Sequence, residues 1–469
     1  MKKNSNLSRR EFLKASVKAS AGALFLPAFA KHAMASALYQ NFANSSEDSH
    51  FFFLLTLPNA SGLDASYLWD ARPNSMTAQG IIQNYRNGPE ATPWTGSNGV
   101  STLATDLVRP LLPFQSDFSV MNGVLMDVGF DGHEQNINYL FTGDPFGGEC
   151  FVPHLNLTGA HKALDAIQRG RYLVSQTNGG QMVPLNPSAA HSLITSLAKV
   201  PPIDPRSRLH QYLSNRFQSI GIGPGGFSAG SSMMNDSYNG ASNLSKLMSQ
   251  VQTDGLDTDA GFVRLANEVF KTGTSKSAVM VLDPAGNVFD THDATSAFQQ
   301  PTTYRALANQ LSTVISTMKT TPFDGTRSML DVTTVMFAAE FGRTLRQKHH
   351  AIDATGTDHN PLSNCILLGG KGIKGGQVIG SSDFASSSEI LSGAHLSLDA
   401  DRLKLMGRPF DFGTSRSRTD LPASYSANDY LGINSIVNTL YQLFNVPVSK
   451  YRKVERNGAL APILTGILS

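Results

Sequence analysis

Carboxylates and imidazoles recur in a few short loops of this 469-residue chain, in patterns suited to holding a divalent cation or moving a proton. Asp290-Thr291-His292 is the tightest of them. If that tripeptide is extended, Asp290 and His292 project to the same side, because strand side chains alternate with period two. Glu340-Phe341-Gly342-Arg343 places a carboxylate three positions before a guanidinium. Adjacent Asp358 and His359 cannot both face one ion from a regular strand, so they need a loop, which Gly356 before them and Pro361 after them supply. Asp64, with Ser61 close before it, is a further candidate. One Asp-x-His by itself is an ordinary turn with a hydrogen-bonded histidine. Recurrence is what points to a metal. Oxygen and nitrogen ligands of this kind suit Zn²⁺ or Mn²⁺ better than Ca²⁺ or Mg²⁺. The expected ligands are Asp64, Asp290, His292, Glu340, Asp358 and His359, around one or two ions that would polarise an ester and acidify a bound water. Arg343 would neutralise charge developing on an anionic substrate, or else pair with Glu340 or Asp358.

The elements that must position these loops alternate between buried strands and amphipathic helices. Phe51 to Leu57 is a continuous apolar run ended by Pro58, the pattern of a fully buried strand. Phe262, Leu265, Ala266, Val269 and Phe270 repeat at helical spacing until Gly273, and Ala278 to Leu282 predicts the next strand. A second helix carries Tyr304, Leu307, Ala308, Leu311, Val314, Ile315 and Met318 on one face, leading to strands at Thr334 to Ala339 and Asn364 to Leu368. This order predicts an α/β fold, a mostly parallel sheet with helices on both faces. Such sheets bind ligands at the carboxyl ends of their strands, which is where the acidic and imidazole loops fall.

Val335 to Gly342 with Arg343-Thr344, Gly356-Thr357-Asp358-His359, Leu367-Leu368-Gly369-Gly370 and Lys374-Gly375-Gly376 closely resemble the signature motifs of the domain-of-unknown-function family 1501. Asn287-Val288-Phe289-Asp290-Thr291-His292 looks like that family's F/W-D-T-H, and the resemblance runs from about residue 50 to residue 446. It implies a fold related to the alkaline phosphatase and sulfatase superfamily, with metals at strand ends. After the first strand, Leu57-Pro58-Asn59-Ala60-Ser61-Gly62-Leu63-Asp64 keeps the family's aspartate and lacks its glycine pair, which would let backbone amides approach an anion. In sulfatases a nucleophile stands nine residues before the threonine of an L-L-T-G motif. Leu140-Phe141-Thr142-Gly143 is similar, and nine before Thr142 is His133. A sulfatase needs Cys or Ser there with Pro-x-Arg behind, so modified-cysteine chemistry is not expected. His133 is left as a metal ligand, a phosphoryl acceptor, a general acid or base, or a helix-start histidine bonded to backbone.

Ser8-Arg9-Arg10-Glu11-Phe12-Leu13-Lys14 resembles the recognition motif of twin-arginine signal peptides, followed by an apolar stretch from Ala19 to Ala30 and two Ala-x-Ala sites. The stretch is shorter than the ~20 residues a membrane helix needs, so it reads as a removable segment, and no later run approaches that length. Residues 1–37 are expected to be a signal peptide read by the twin-arginine export machinery. Residues 38–469 are then one domain, periplasmic or secreted, without a membrane span and with an exposed polar insertion near 221–242. Residues 1–37 hold seven Lys/Arg and one acid, a net of +6, so the whole-chain +2 becomes −4 beyond them, which leaves no basic excess for nucleic acid. Cys150 and Cys365 are the only cysteines, enough for one disulfide and too few for a Cys-based zinc site. The expected function is an exported metal-dependent hydrolase or phosphoryl- or sulfuryl-transfer enzyme acting on an anionic ester, whether a small molecule or an envelope polymer. The alternative is a non-catalytic binding or assembly protein on the same fold.

Overall fold

The computed structural model describes residues 49–58, 69–70, 91–127, 129–156, 166–170, 182–184, 258–271, 273, 275–283, 289–292, 294–344, 357–384, 405–418, 427–454 and 458–469. Residues 1–37, expected to be a signal peptide, residues 221–242, expected to be an insertion, and Ser61 and Asp64 lie outside them. The apolar run after Ser49 forms strand β1, Phe51–Thr56, buried along its whole length. Its alternation sorts the side chains, with Phe51, Phe53 and Leu55 in one apolar cluster and Phe52 and Leu54 in another. A sheet with a core on each face must be covered on both sides, and it is. Helices α2 (Asp259–Lys271) and α3 (Ala294–Thr320) pack into the Phe53 cluster. Helices α1 (His133–Thr142) and α4 (Ile433–Leu443) pack into the Phe52 cluster. All seven apolar residues expected on one face of α3 are buried, although the helix begins ten residues before the first of them and runs through Pro301.

The other strands are β2 (Phe118–Val124), β3 (Ala166–Arg169), β4 (Met182–Pro184), β5 (Ser277–Val281), β6 (Thr333–Ala338), β7 (Asn364–Gly370) and β8 (Val378–Ile379). Together with β1 they form an eight-stranded sheet in the order β8-β2-β7-β6-β1-β5-β3-β4. Strand β1 runs parallel to β5 and β6, β3 to β5 and β4, and β2 to β8. Strand β7 runs antiparallel to both its neighbours, β2 and β6. The fold is therefore α/β with a mostly parallel sheet, as the pattern predicts, and one strand is reversed.

That reversal determines where the site forms. In a strictly parallel sheet the loop entering β7 would sit at the opposite edge from the loops leaving β5 and β6. Because β7 runs backwards, Asp358 and His359, which precede it, reach the same rim as Asp290 beyond β5, Glu340 beyond β6 and His133 beyond β2. The Gly369-Gly370 motif falls at the far edge, where a Cβ on Gly370 would lie 2.1 Å from the Thr333 carbonyl oxygen. Cys150 and Cys365 are free buried thiols in the two different clusters. Among the described residues no helix is long and apolar enough to cross a membrane.

Candidate metal centre

His133 is the first residue of α1, with Gly132 as its N-cap. The helix ends at Thr142, whose hydroxyl donates to the Asn138 carbonyl at 2.7 Å, and Gly143 follows at φ 76°. The nine-residue interval between His133 and Thr142 is thus the length of one short helix. Buried Arg452 donates to the carbonyls of Leu140 and Phe141 at 3.1 and 2.5 Å, placing a cation at the negative end of the helix dipole. At the other rim loops, Gly342–Arg343 pairs antiparallel with His359–Asn360, setting Arg343 opposite His359. Only glycine fits at 342, since a Cβ there would stand 1.8 Å from the Ser363 carbonyl oxygen. The Thr357 amide donates to the Thr291 carbonyl at 2.5 Å, tying the Asp290–His292 loop to the same pair.

Four side chains from two rim loops and α1 converge on one point. His133, Asp290, His292 and His359 each offer one ligating atom, and these atoms all lie within 4.8 Å of one another. Asp290 Oδ1 is 3.0 Å from His292 Nε2, 3.3 Å from His133 Nε2 and 3.8 Å from His359 Nε2, and His292 and His359 approach Nε2 to Nε2 at 3.0 Å. Separations of this size suit atoms around a common ion with bonds of about 2.0–2.2 Å. His133 Nε2 is buried and, though within ion-pair reach of Asp290, makes no aligned hydrogen bond. A nitrogen so placed fits a ligand better than a donor.

The opposite nitrogen of each ring faces an oxygen. His133 Nδ1 meets Glu340 Oε1 at 2.5 Å, His359 Nδ1 donates to the Asp131 carbonyl at 2.6 Å, and His292 Nδ1 stands 3.7 Å from Asp358 Oδ1. Acceptors behind the ligating rings fix tautomer and orientation at metal sites. Phe341 packs against the rings of both His133 and His359, with centroids 5.0 and 4.8 Å apart. Asp290 and His292 are each 38% exposed, so solvent reaches the cluster from their side.

Electrostatics follow from this crowding. Burial works against a charged His133, but Asp290 and Glu340 outweigh it and push its pKa up to about 9. Burial likewise opposes the Asp290 anion, yet the three histidines crowded around it and the charge of Arg343 hold that carboxyl far below the usual carboxylate range. Burial pushes the His359 pKa down, with Asp290 opposing and the charges of His133, Arg343 and His292 adding to the fall. In the metal-free protein a proton on His133 and the Asp290 carboxylate thus share the place a cation would take.

Of the residues singled out in the sequence, Asp290, His292 and His359 supply candidate ligands directly, and His133 joins them as the fourth. Glu340 and Asp358 stand behind the rings instead of among the ligating atoms. Arg343 is fully buried in its side chain and donates from Nη1 to Asp290 Oδ1 at 3.0 Å. The Asp131 carbonyl, Thr291, Thr357 and Gln300 also belong to the site. Asp131 acts through its main chain and the others through hydroxyl or amide contacts, and neither leaves a mark in residue type or spacing.

Residues 255–411, about a third of the chain, match a family model described as "Protein of unknown function (DUF1501)". They include Asp290, His292, Glu340, Arg343, Asp358 and His359, and not His133. No curated protein matches the chain. Among solved structures it is similar to the lipoteichoic acid synthase LtaP from Listeria monocytogenes, at 9% identity and a TM-score of 0.27, covering 74% of this chain and 73% of that one. It is also similar to a protein in the alkaline phosphatase superfamily from Vibrio parahaemolyticus, at 11% identity and a TM-score of 0.30, covering 91% of this chain and 97% of that one. Strand order, and not these low scores, establishes the sheet described above.

Proposed function

We propose that this chain, which carries the DUF1501 region, is an exported metal-dependent hydrolase or phosphoryl- or sulfuryl-transfer enzyme acting on an anionic ester. The observation that carries the reading is the convergence of three imidazole nitrogens on Asp290 Oδ1, each ring backed by an oxygen. His133, Asp290, His292 and His359 would hold the ion, and a three-nitrogen, one-oxygen set favours Zn²⁺ or Mn²⁺. Such an ion, when bound, supplies Lewis acidity to an ester and a more acidic water.

The chain's own residues have separable tasks. Glu340 takes the Nδ1 proton of His133 and the Asp131 carbonyl takes that of His359, so both rings present Nε2 inward. Arg343 holds Asp290 from the buried side, which leaves the exposed side of Asp290 and His292 for an incoming ester. A site that only stapled the fold would be shut off from solvent. One observation favours the second reading, a non-catalytic exported binding or assembly protein. Four protein ligands would complete a tetrahedral shell and leave no open position.

The readings separate in one experiment. The folded, exported protein is assayed for zinc and manganese by mass spectrometry, then tested on aryl phosphate and aryl sulfate esters before and after chelation. The enzyme reading expects about one ion per chain and a hydrolytic activity lost on chelation and restored by the metal. Bound metal with no turnover of either ester class would favour the binding protein, and absence of bound metal would contradict both.

A further inference from the structure

Arg343 is a buried cation whose N–H groups are turned away from solvent. Its Nε donates to Thr357 Oγ1 at 2.6 Å, Nη2 to the Thr357 carbonyl at 3.3 Å, and Nη1 to Asp290 Oδ1 at 3.0 Å. Behind Thr357 the network continues. Its hydroxyl lies 2.7 Å from that of Thr291, which accepts from Gln300 Nε2 at 2.5 Å. Thr291, Gln300 and Thr357 are completely buried. Arg343 and Gln300 enter this chain only as donors, so the two hydroxyl protons must point inward. One lies between the hydroxyls, and the other goes from Thr357 to the Thr291 carbonyl at 3.3 Å. Every hydrogen-bond direction of the threonines is then specified.

We infer that Thr357, backed by Thr291 and Gln300, is the positioning group of the metal centre: its hydroxyl and carbonyl clamp the Arg343 guanidinium, and Arg343 in turn sets the bearing of Asp290 Oδ1. Thr357 touches none of the four candidate ligands' side chains through these bonds; its side chain acts on Asp290 through Arg343, while its amide ties the Asp290–His292 loop at the Thr291 carbonyl. The geometry explains why a threonine separates Asp290 from His292. Alternation sends those two side chains to the rim and the middle one inward, where it meets Thr357 and Gln300. It also explains what Gln300 does on α3, where it is buried and donates to Thr291. A guanidinium fixed on three sides costs little further ordering when it pairs, unlike a mobile arginine reaching from solvent. The inference rests on the metal reading above for its main readout, and the experiment keeps the two apart.

Zinc affinity of the folded, metal-free protein is measured by calorimetric titration for wild type, Thr357→Val, Thr357→Ser and Gln300→Met. Thr357→Val keeps the shape and removes the hydroxyl, and is expected to weaken zinc binding by about 10–100-fold, the usual loss when an outer partner of a metal ligand is removed. Thr357→Ser restores the hydroxyl and should bind within a few-fold of wild type. A merely structural role for Thr357 would lower the melting temperature of the metal-free protein and leave zinc affinity unchanged, and that result overturns the inference. If Thr357→Val does not fold, Gln300→Met decides, because it breaks the same chain one step back. Weaker zinc binding supports the clamp, and unchanged binding contradicts it. If wild type itself binds no zinc, the metal reading fails, and crystal structures of the metal-free proteins still test the clamp. Asp290 should hold one rotamer in wild type and lose it in the variant, and an unmoved Asp290 would contradict the inference.

Discussion

An imidazole presents one nitrogen reliably only when the other is tethered, and in this site a glutamate tethers His133 and a main-chain carbonyl tethers His359, while an aspartate stands 3.7 Å from His292 Nδ1. Glu340→Ala frees His133 Nδ1 without touching a candidate ligating atom. It should cost about 10–100-fold in zinc affinity, read by titration calorimetry. Protonation of His133 gives a second test. Its pKa is raised from 6.5 to about 9 in the folded, metal-free protein, so the proton stabilises the fold fully below pH 6.5 and that stabilisation is lost as pH rises through 9. Zinc and the proton compete for the same nitrogen, so zinc affinity should climb across the same window. Thermal melts of metal-free protein should fall between pH 6.5 and 9, while zinc-loaded protein shows a widening advantage. A gap between the two that stays constant with pH would mean that His133 is not a ligand. The residue types at Asp290, His292 and His359 were legible because carboxylate and imidazole are recognisable wherever they stand. The division between ligands and their supports was not, since Glu340 and Asp358 have the same chemistry as a ligand and differ only in which atom they face.

Between elements, the decisive feature is the short antiparallel pair of Gly342–Arg343 with His359–Asn360, which joins two rim loops at a separation only glycine permits. Gly342→Ala would force a methyl against the Ser363 carbonyl and push the pair apart. We expect a loss of about 1–3 kcal/mol or more in denaturant unfolding, together with weakened zinc binding. A variant of wild-type stability with normal zinc binding would show that this approach is not needed. The run at Phe51, the periodic faces of α2 and α3 and the strands β5 and β6 could be read from the sequence, because burial on two sides or one leaves a period in the apolar residues. Reversal of β7 could not. Its apolar run is the same read in either direction, and orientation depends on which neighbours it pairs with, a non-local choice. The N-terminal part of α3 was hidden for a related reason: Pro301 interrupts the local helical signal that the tertiary structure overrides.

For the molecule as a whole, the sheet acts as a frame that delivers side chains from residues 133 to 359 to one rim while its two apolar clusters exclude water from both faces. We propose that export precedes function. Arg9→Lys with Arg10→Lys should leave the precursor in the cytoplasm, followed by fractionation and immunoblotting, and normal delivery of the double variant would refute the twin-arginine reading. A protein folded before export can carry its ion with it, which makes the metal content of the exported form informative about the centre itself. Function depends on that centre, and the most direct measurement is elemental analysis of the exported wild-type protein beside its Asp290→Ala and His359→Ala variants. About one zinc or manganese per wild-type chain is expected, and roughly a tenth of that or less in each folded variant. Wild-type protein without a transition metal, or variants that retain a full complement, would contradict the metal reading.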